Sequence, residues 1–263
     1  LSGRAVEGRE AQAYALLAAA LLAALLVNLA SGALQVPFSA MLRVFAAALG
    51  LAEPQASDRI FRVVMLDVRL PRLAMACVVG ATLGIAGAAM QGVLRNPLAE
   101  PGLLGTTSGA ALGAVAAIVL EGWLTRRHDF AHLLVPGAAF GGALAATLVV
   151  VAVARAVALP SAATLLLTGI AINALSGSAI GLLISVANDE QLRSLTFWMM
   201  GSLANANRAN LLVVALVGGL GGFAVYRHAL ALDAATLGDD VAGHLGLDAV
   251  AVRGRVRAAV ARA

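Results

Sequence analysis

The chain of 263 residues is 61% hydrophobic and 12% charged, with a mean hydropathy of +0.91. A soluble domain carries about 25% charged residues, so these proportions exclude one and imply a polytopic membrane protein. The net charge of +4 rests on 18 arginines and no lysine, spread between apolar runs, which excludes a nucleic-acid patch and suits charges flanking membrane helices.

A bilayer core takes about 20 apolar residues per helix. The first apolar run, 13–34, is longer than a signal-peptide core and has no small-residue cleavage site, so it reads as a retained span. Residues 37–51 form a short amphipathic stretch at the surface. Residues 53–72 are polar and charged and read as lying outside the membrane. Further spans are expected over 73–94, 103–120, 133–154, 162–186 and 211–226, with polar connections over 121–132, 155–160 and 187–210. The single cysteine, Cys77, falls inside a span and reads as a buried structural thiol, which leaves no disulfide framework. Residues 227–248 form a polar loop. The last thirteen residues, 251–263, hold four arginines and cannot cross a bilayer, so they are at most the start of a seventh span, and the chain reads as incomplete at its C-terminus. The fold expected is all-α: a polytopic membrane helix bundle, one transmembrane domain over 1–263, with six complete spans.

Six spans return the chain to the side on which it started. On that topology the arginines divide nine and nine between the two sides, so the positive-inside rule gives no orientation. A face that basic on the outside implies that something acidic docks there.

Three stretches carry chemistry. In Arg69-Leu-Pro-Arg72 the proline fits the first turn of a helix, where its missing N–H is harmless. Both arginines then sit at a helix entrance, either as interfacial anchors or as forks for carboxylates. In Gln91-Gly-Val-Leu-Arg-Asn-Pro-Leu-Ala-Glu-Pro-Gly-Leu-Leu-Gly105, each proline forces extended backbone on Asn96 and Glu100, giving a short rigid turn between two spans. Gly102, Gly105 and Gly109, three and four apart, offer a face for close helix contact. In Leu237–Asp248, Asp239 and Asp240 can cap a helix opening near Val241, and Gly246 suits its end. His128, His132, His228 and His244 all lie outside the spans and read as interfacial polar groups. Met199 and Met200 read as packing residues.

Absences narrow the function further. The expected spans contain no Asp, Glu or Lys, whereas a carrier coupled to protons or sodium keeps an ionisable residue in mid-membrane. No Gly-rich phosphate loop ending in Lys-Ser or Lys-Thr occurs, so ATP would be hydrolysed by another polypeptide. The competing reading is a secondary carrier or channel that works without ATP.

From about residue 13 to 247, and most densely over Arg69–Ala110, the chain resembles the permease subunit of ATP-driven importers for cobalamin, ferric siderophores and haem, the FecCD type. The resemblance implies a permease in the bacterial inner membrane, with no catalytic residue, no metal ligand and no cofactor of its own. It implies as partners a second copy of the chain, two ATP-binding-cassette ATPase subunits, a periplasmic substrate-binding protein and the lipid bilayer. By the same resemblance Arg69 and Arg72, with Arg59 and Arg62 adding to the field, dock acidic residues of the binding protein. Asn96 and Leu98, in an intact Asn-Pro-Leu, form an inner gate. Gly238, Asp239, Asp240, Ala242, Leu245 and Gly246 belong to the segment that couples to the ATPase. The cargo implied is a metal chelate. Haem comes first, from the likeness of Phe197-Trp-Met-Met-Gly-Ser-Leu203 and of 101–110 to haem permeases, and cobalamin or a ferric siderophore next, since Ala99–Gly105 suits cobalamin equally. Family members have ten spans, and their later Gly-rich stretch ending in Pro-His is missing from these residues.

Overall fold

The computed structural model describes residues 2–53, 55–124, 131–156, 162–230 and 232. Among them every regular element is helical, as lipid requires of a backbone that must satisfy its own hydrogen bonds. Five helical stretches are long and apolar enough to cross a membrane: Arg9–Ala30, Ala56–Leu94, Leu133–Ala156, Ala162–Ser185 and Arg208–Tyr226. The apolar helix Thr106–Glu121 is shorter. All six expected spans are thus helices, and five have full membrane length. The described residues form two compact units, divided at Cys77 and Val78 and again around Leu203–Val214, which belongs with the first.

The first unit opens with α1 (Ser2–Ala30). Its apolar stretch buries nothing within the protein, and a helix that is apolar all round needs an apolar surrounding, here lipid. Helix α2 (Phe38–Ala48) is amphipathic and buries Ala40, Met41 and Val44. These close a small core with Val36 and the fully buried Met65, flanked by Leu29, Phe45, Phe61 and Leu66.

A turn of 3-10 helix, Ala56–Asp58, leads into α3 (Arg59–Val63), then a π-helical segment, Val64–Arg69, then α4 (Leu70–Leu94). The whole path is one helical stretch of 39 residues. This differs from the charged connection expected over 53–72 and from the reading of Pro71 as a helix start. Inside an α-helix Pro71 would lose its N–H bond and push its ring into the carbonyl four residues back, that of Asp67. The wider π register just before it relieves that conflict, so the helix runs through the proline. Cys77, expected to be buried, is exposed on α4.

The second unit holds α5 (Thr106–Leu124), α6 (Ala131–Ala156), α7 (Ala162–Ser185), α8 (Asp189–Met200), the 3-10 turn Pro101–Leu104 and the remainders of α4 and of α9 (Arg208–Tyr226). Between α5 and α6 the backbones touch. A Cβ on Gly109 would lie 2.5 Å from the Gly142 carbonyl oxygen, and one on Gly113 would collide with that of Ala138. Lipid tails are as apolar as leucine, so close van der Waals packing of this kind is what holds membrane helices together. The glycine face read from the sequence is therefore carried by Gly109 and extended by Gly113. Gly105 serves another purpose, since its φ of 81° ends the 3-10 turn in the left-handed region. Met90, Val93, Leu94, Leu104, Val150 and Leu165 form the main core of this unit.

Helix α8 starts with a capping box. The Asn188 side chain accepts from the Gln191 backbone, and the Gln191 side chain accepts from the Asn188 backbone. Gln191 also donates to the Val119 carbonyl at 3.0 Å, and Leu195 packs with Val115, Ile118 and Val119 of α5.

Candidate functional site

The arginines of the first unit divide by what they touch. Arg69 is only 8% exposed. Its guanidinium donates to the carbonyls of Leu29 (2.5 Å), Ala30 (3.2 Å) and Leu34. Leu29 and Ala30 lie in the last turn of α1, whose carbonyls have no partner within the helix and carry its negative dipole end. The Arg69 guanidinium thus caps the C-terminal end of α1. Gly32 makes room for it, since a Cβ there would lie 2.5 Å from the Arg69 Nη2.

Arg72 is exposed and donates one bond, 2.9 Å, to the Ala204 carbonyl. Arg208 reaches Asp67 at 3.0 Å, both side chains well exposed. Arg43 forks onto Asp58 with bonds of 2.8 and 3.0 Å, and this pair secures the one buried carboxylate of the described residues. Arg59 and Arg62, on α3, are exposed and bond to nothing among the described residues.

In the second unit the polar turn after α4 is built by its own residues. Arg95 adopts φ 50°, and the Asn96 amide reaches back to the Gln91 carbonyl at 3.2 Å. That six-to-one closure is the Schellman way of ending a helix, here without glycine. The Asn96 side chain then accepts from the Leu98 amide at 2.9 Å, and the Ala99 amide returns to the Asn96 carbonyl at 3.0 Å. Such an Asx turn sets the backbone direction locally. It leaves Leu98 85% exposed while Ala99 is buried. The two residues read from the sequence as a gate are therefore brought together, Asn96 as the frame and Leu98 as the projecting group.

Asn173, in the middle of α7, is a functional candidate that sequence reasoning missed. Its amide donates to the Gly102 carbonyl at 3.2 Å and its oxygen accepts from Ser108 at 2.5 Å. One side chain therefore ties the 3-10 turn, α5 and α7. Beside it lies an open groove of about 390 Å³ whose polar lining is Glu100, Thr107, Ser108 and Asn173. The signal was a lone amide in an apolar run, Gly169-Ile-Ala-Ile-Asn173.

Gly238, Asp239, Asp240, Ala242, Leu245 and Gly246 lie outside the described residues, as do His128 and His244. His228 follows α9, with its Nδ1 2.8 Å from the Ala224 carbonyl.

The FecCD transport family matches residues 20–262. The hemin transport system permease protein HmuU of Yersinia pestis is 44% identical over 151 residues, covering 57% of this chain and 44% of HmuU. The cobalamin import system permease protein BtuC of Halobacterium salinarum is 34% identical over 222 residues, covering 84% and 56%. The ferric enterobactin transport system permease protein FepD of Escherichia coli is 34% identical over 228 residues, covering 86% and 64%. The chain spans about half the length of the curated relatives it matches. A solved inward-facing structure of a transporter described as metal-chelate type superimposes with a TM-score of 0.64 at 27% identity, covering 86% of this chain and 71% of that one.

Proposed function

The chain belongs to the FecCD transport family, and from that premise we propose that it is the membrane-spanning permease of an ATP-binding-cassette importer that moves a metal chelate into the cell. The observation that carries this reading is the family match across 20–262, over a sequence whose Arg69–Gly105 motif is one helix closed by a self-framed turn. The mechanism follows from rigid elements. Two copies pair around a central path, and ATPase subunits on the cytoplasmic side drive a rigid-body switch between its open and closed forms. Leu98, held outward by the Asn96 turn, narrows the inner end of the path by bulk alone. Residues 238–246 transmit ATPase closure. The outer arginines receive a periplasmic binding protein, and the protein resides in the bacterial inner membrane.

The absence of acidic residues and lysine from the expected spans favours energy from ATP over a carrier driven by an ion gradient. Haem is the first choice of cargo, and the 44% identity to a hemin permease supports it. Cobalamin and ferric siderophores follow, since permeases for both are also relatives.

The test is import in proteoliposomes holding the full permease with its ATPase partner. Haem uptake should require ATP and should exceed uptake of cobalamin or a ferric siderophore. Leu98→Trp should block import and leave basal ATP hydrolysis within about twofold, a loss of transition-state or switching energy too small to register as a defect in the ATPase cycle. Uptake that proceeds equally without ATP would overturn the reading.

A further inference from the structure

The inner turn is held on α7 more closely than its own hydrogen bonds require. A Cβ on the buried Gly169 would collide with the Leu103 carbonyl oxygen, so the 3-10 turn Pro101–Leu104 lies flush on the helix. One helical turn further along the same face, the Asn173 amide donates to the Gly102 carbonyl at 3.2 Å and its oxygen accepts from the Ser108 hydroxyl at 2.5 Å. Neither partner depends on it. The Gly102 carbonyl also accepts from the Gly105 amide at 3.0 Å, and the Ser108 hydroxyl has the Gly105 carbonyl at 3.1 Å. An amide in mid-span is costly to bury, and here it rescues no orphaned group. What it supplies is direction, since one planar group fixes the turn against α7 and α5 at once. We infer that Asn173 is the positioning residue of the inner gate: it locks the 101–104 turn to α7, so that α7 carries Leu98 with it as one body. The inference rests on the reading of Leu98 as the inner gate and names the helix that moves it.

The neighbouring contacts stiffen this joint. Leu104 is buried in the main core with Leu165 of α7. A Cβ on Gly105 would lie 3.1 Å from the Ile172 Cγ2 and 3.7 Å from the Asn173 Oδ1. Residues 102–105 are thus seated along Leu165, Gly169, Ile172 and Asn173, whose spacing of four, seven and eight marks one helix face. Leu98 stands three residues before Pro101, with the buried Ala99 between, so it follows the seat. On the other side the turn meets α4 through Arg95 at φ 50°, a break in the helix. Rigid-body shifts are absorbed at such element ends, which leaves the turn free to travel with α7.

The test uses the full permease with its ATPase partner in proteoliposomes, in a Cys77→Ala background, with entrapped carboxyfluorescein as the probe. Without ATP, Asn173→Leu should raise efflux about fivefold, the ratio that one membrane hydrogen bond is worth. Ser108→Ala keeps the bond to Gly102 and should raise it less. A nitroxide placed on Leu98→Cys should become more mobile when Asn173→Leu is added. Thr147→Val removes the bonds of Thr147 to Thr106 and Ala143; it should lower the unfolding temperature comparably and leave efflux and mobility alone. Gly102→Cys with Asn173→Cys, bridged by a short bis-methanethiosulfonate, should restore low efflux and still import with ATP. If the bridge blocks import, the turn must slide on α7 and the inference is overturned while the gate stands. Unchanged mobility and efflux in both Asn173→Leu and Ser108→Ala also overturn it, as does equal efflux from Thr147→Val, which would trace the leak to stability alone. If mobility rises and efflux does not, Asn173 holds the turn but Leu98 is no gate, and the gate reading fails.

Discussion

At the scale of single residues, the polar side chains of this protein act mainly on its own backbone. Arg69 and Asn96 each hold a carbonyl or amide that a helix end or a turn would leave open, and Asn173 adds a second donor to the Gly102 carbonyl. Asn173 has the widest reach, since it joins residues 65 and 71 positions away. Replacing it with leucine removes one of two donors to the Gly102 carbonyl, the other being the Gly105 amide, and one partner of Ser108. Membrane hydrogen bonds contribute about 1 kcal/mol each, so Asn173→Leu should lower the unfolding midpoint in nanodiscs measurably. Ser108→Ala should lower it less, because Asn173 keeps its bond to Gly102. Equal midpoints for wild type and Asn173→Leu would show that the tether contributes nothing.

At the scale of elements, the close contact of α5 and α6 makes a contrast within one helix pair. Gly113 meets the Ala138 backbone, whereas a Cβ on Gly137 would meet nothing within 4 Å. Gly113→Leu should force the helices apart and destabilise by about 1–3 kcal/mol, the usual cost of overpacking. Gly137→Leu should be tolerated. Folded yield after purification, read by size-exclusion chromatography, separates the two, and a similar loss for both would mean that the contact is not specific.

The same scale shows what was legible in the sequence. Apolar runs of membrane length locate spans because lipid leaves few alternatives. The helix over 56–72 was not legible, because Asp58, Arg59, Arg62, Asp67 and Arg69 read locally as a solvated connection. Three of them are held by partners 15, 141 and 35 to 40 residues away, Asp58 and Asp67 by arginines and Arg69 by carbonyls, which no local pattern reveals. The Asn96 turn was legible because its device spans only two residues. The Asn173 tether was not, because the residues it joins are distant in sequence.

At the scale of the whole molecule, the function proposed depends on residues 238–246, whose Gly-Asp-Asp opening and Gly246 give the pattern of a short capped helix. Leu245→Arg should uncouple the two activities: ATP hydrolysis by the assembled transporter continues while chelate import falls about tenfold, the size of a typical coupling energy. Normal import by that variant would reject the assignment.

The π-helical segment has a geometric consequence of its own. An α-helix turns about 100° per residue, so a stretch that holds one surplus residue sets the helix before it and the helix after it out of phase by about that angle. Val64–Arg69 stands between α3, with Arg59 and Arg62, and the start of α4, with Arg72. It therefore acts as a rotational offset. The same six residues wound in α register would leave composition and charge unchanged while turning the α3 arginines to another compass bearing about the helix axis. In this protein the direction in which a charge faces is thus written into the winding of the backbone as well as into the identity of the side chain.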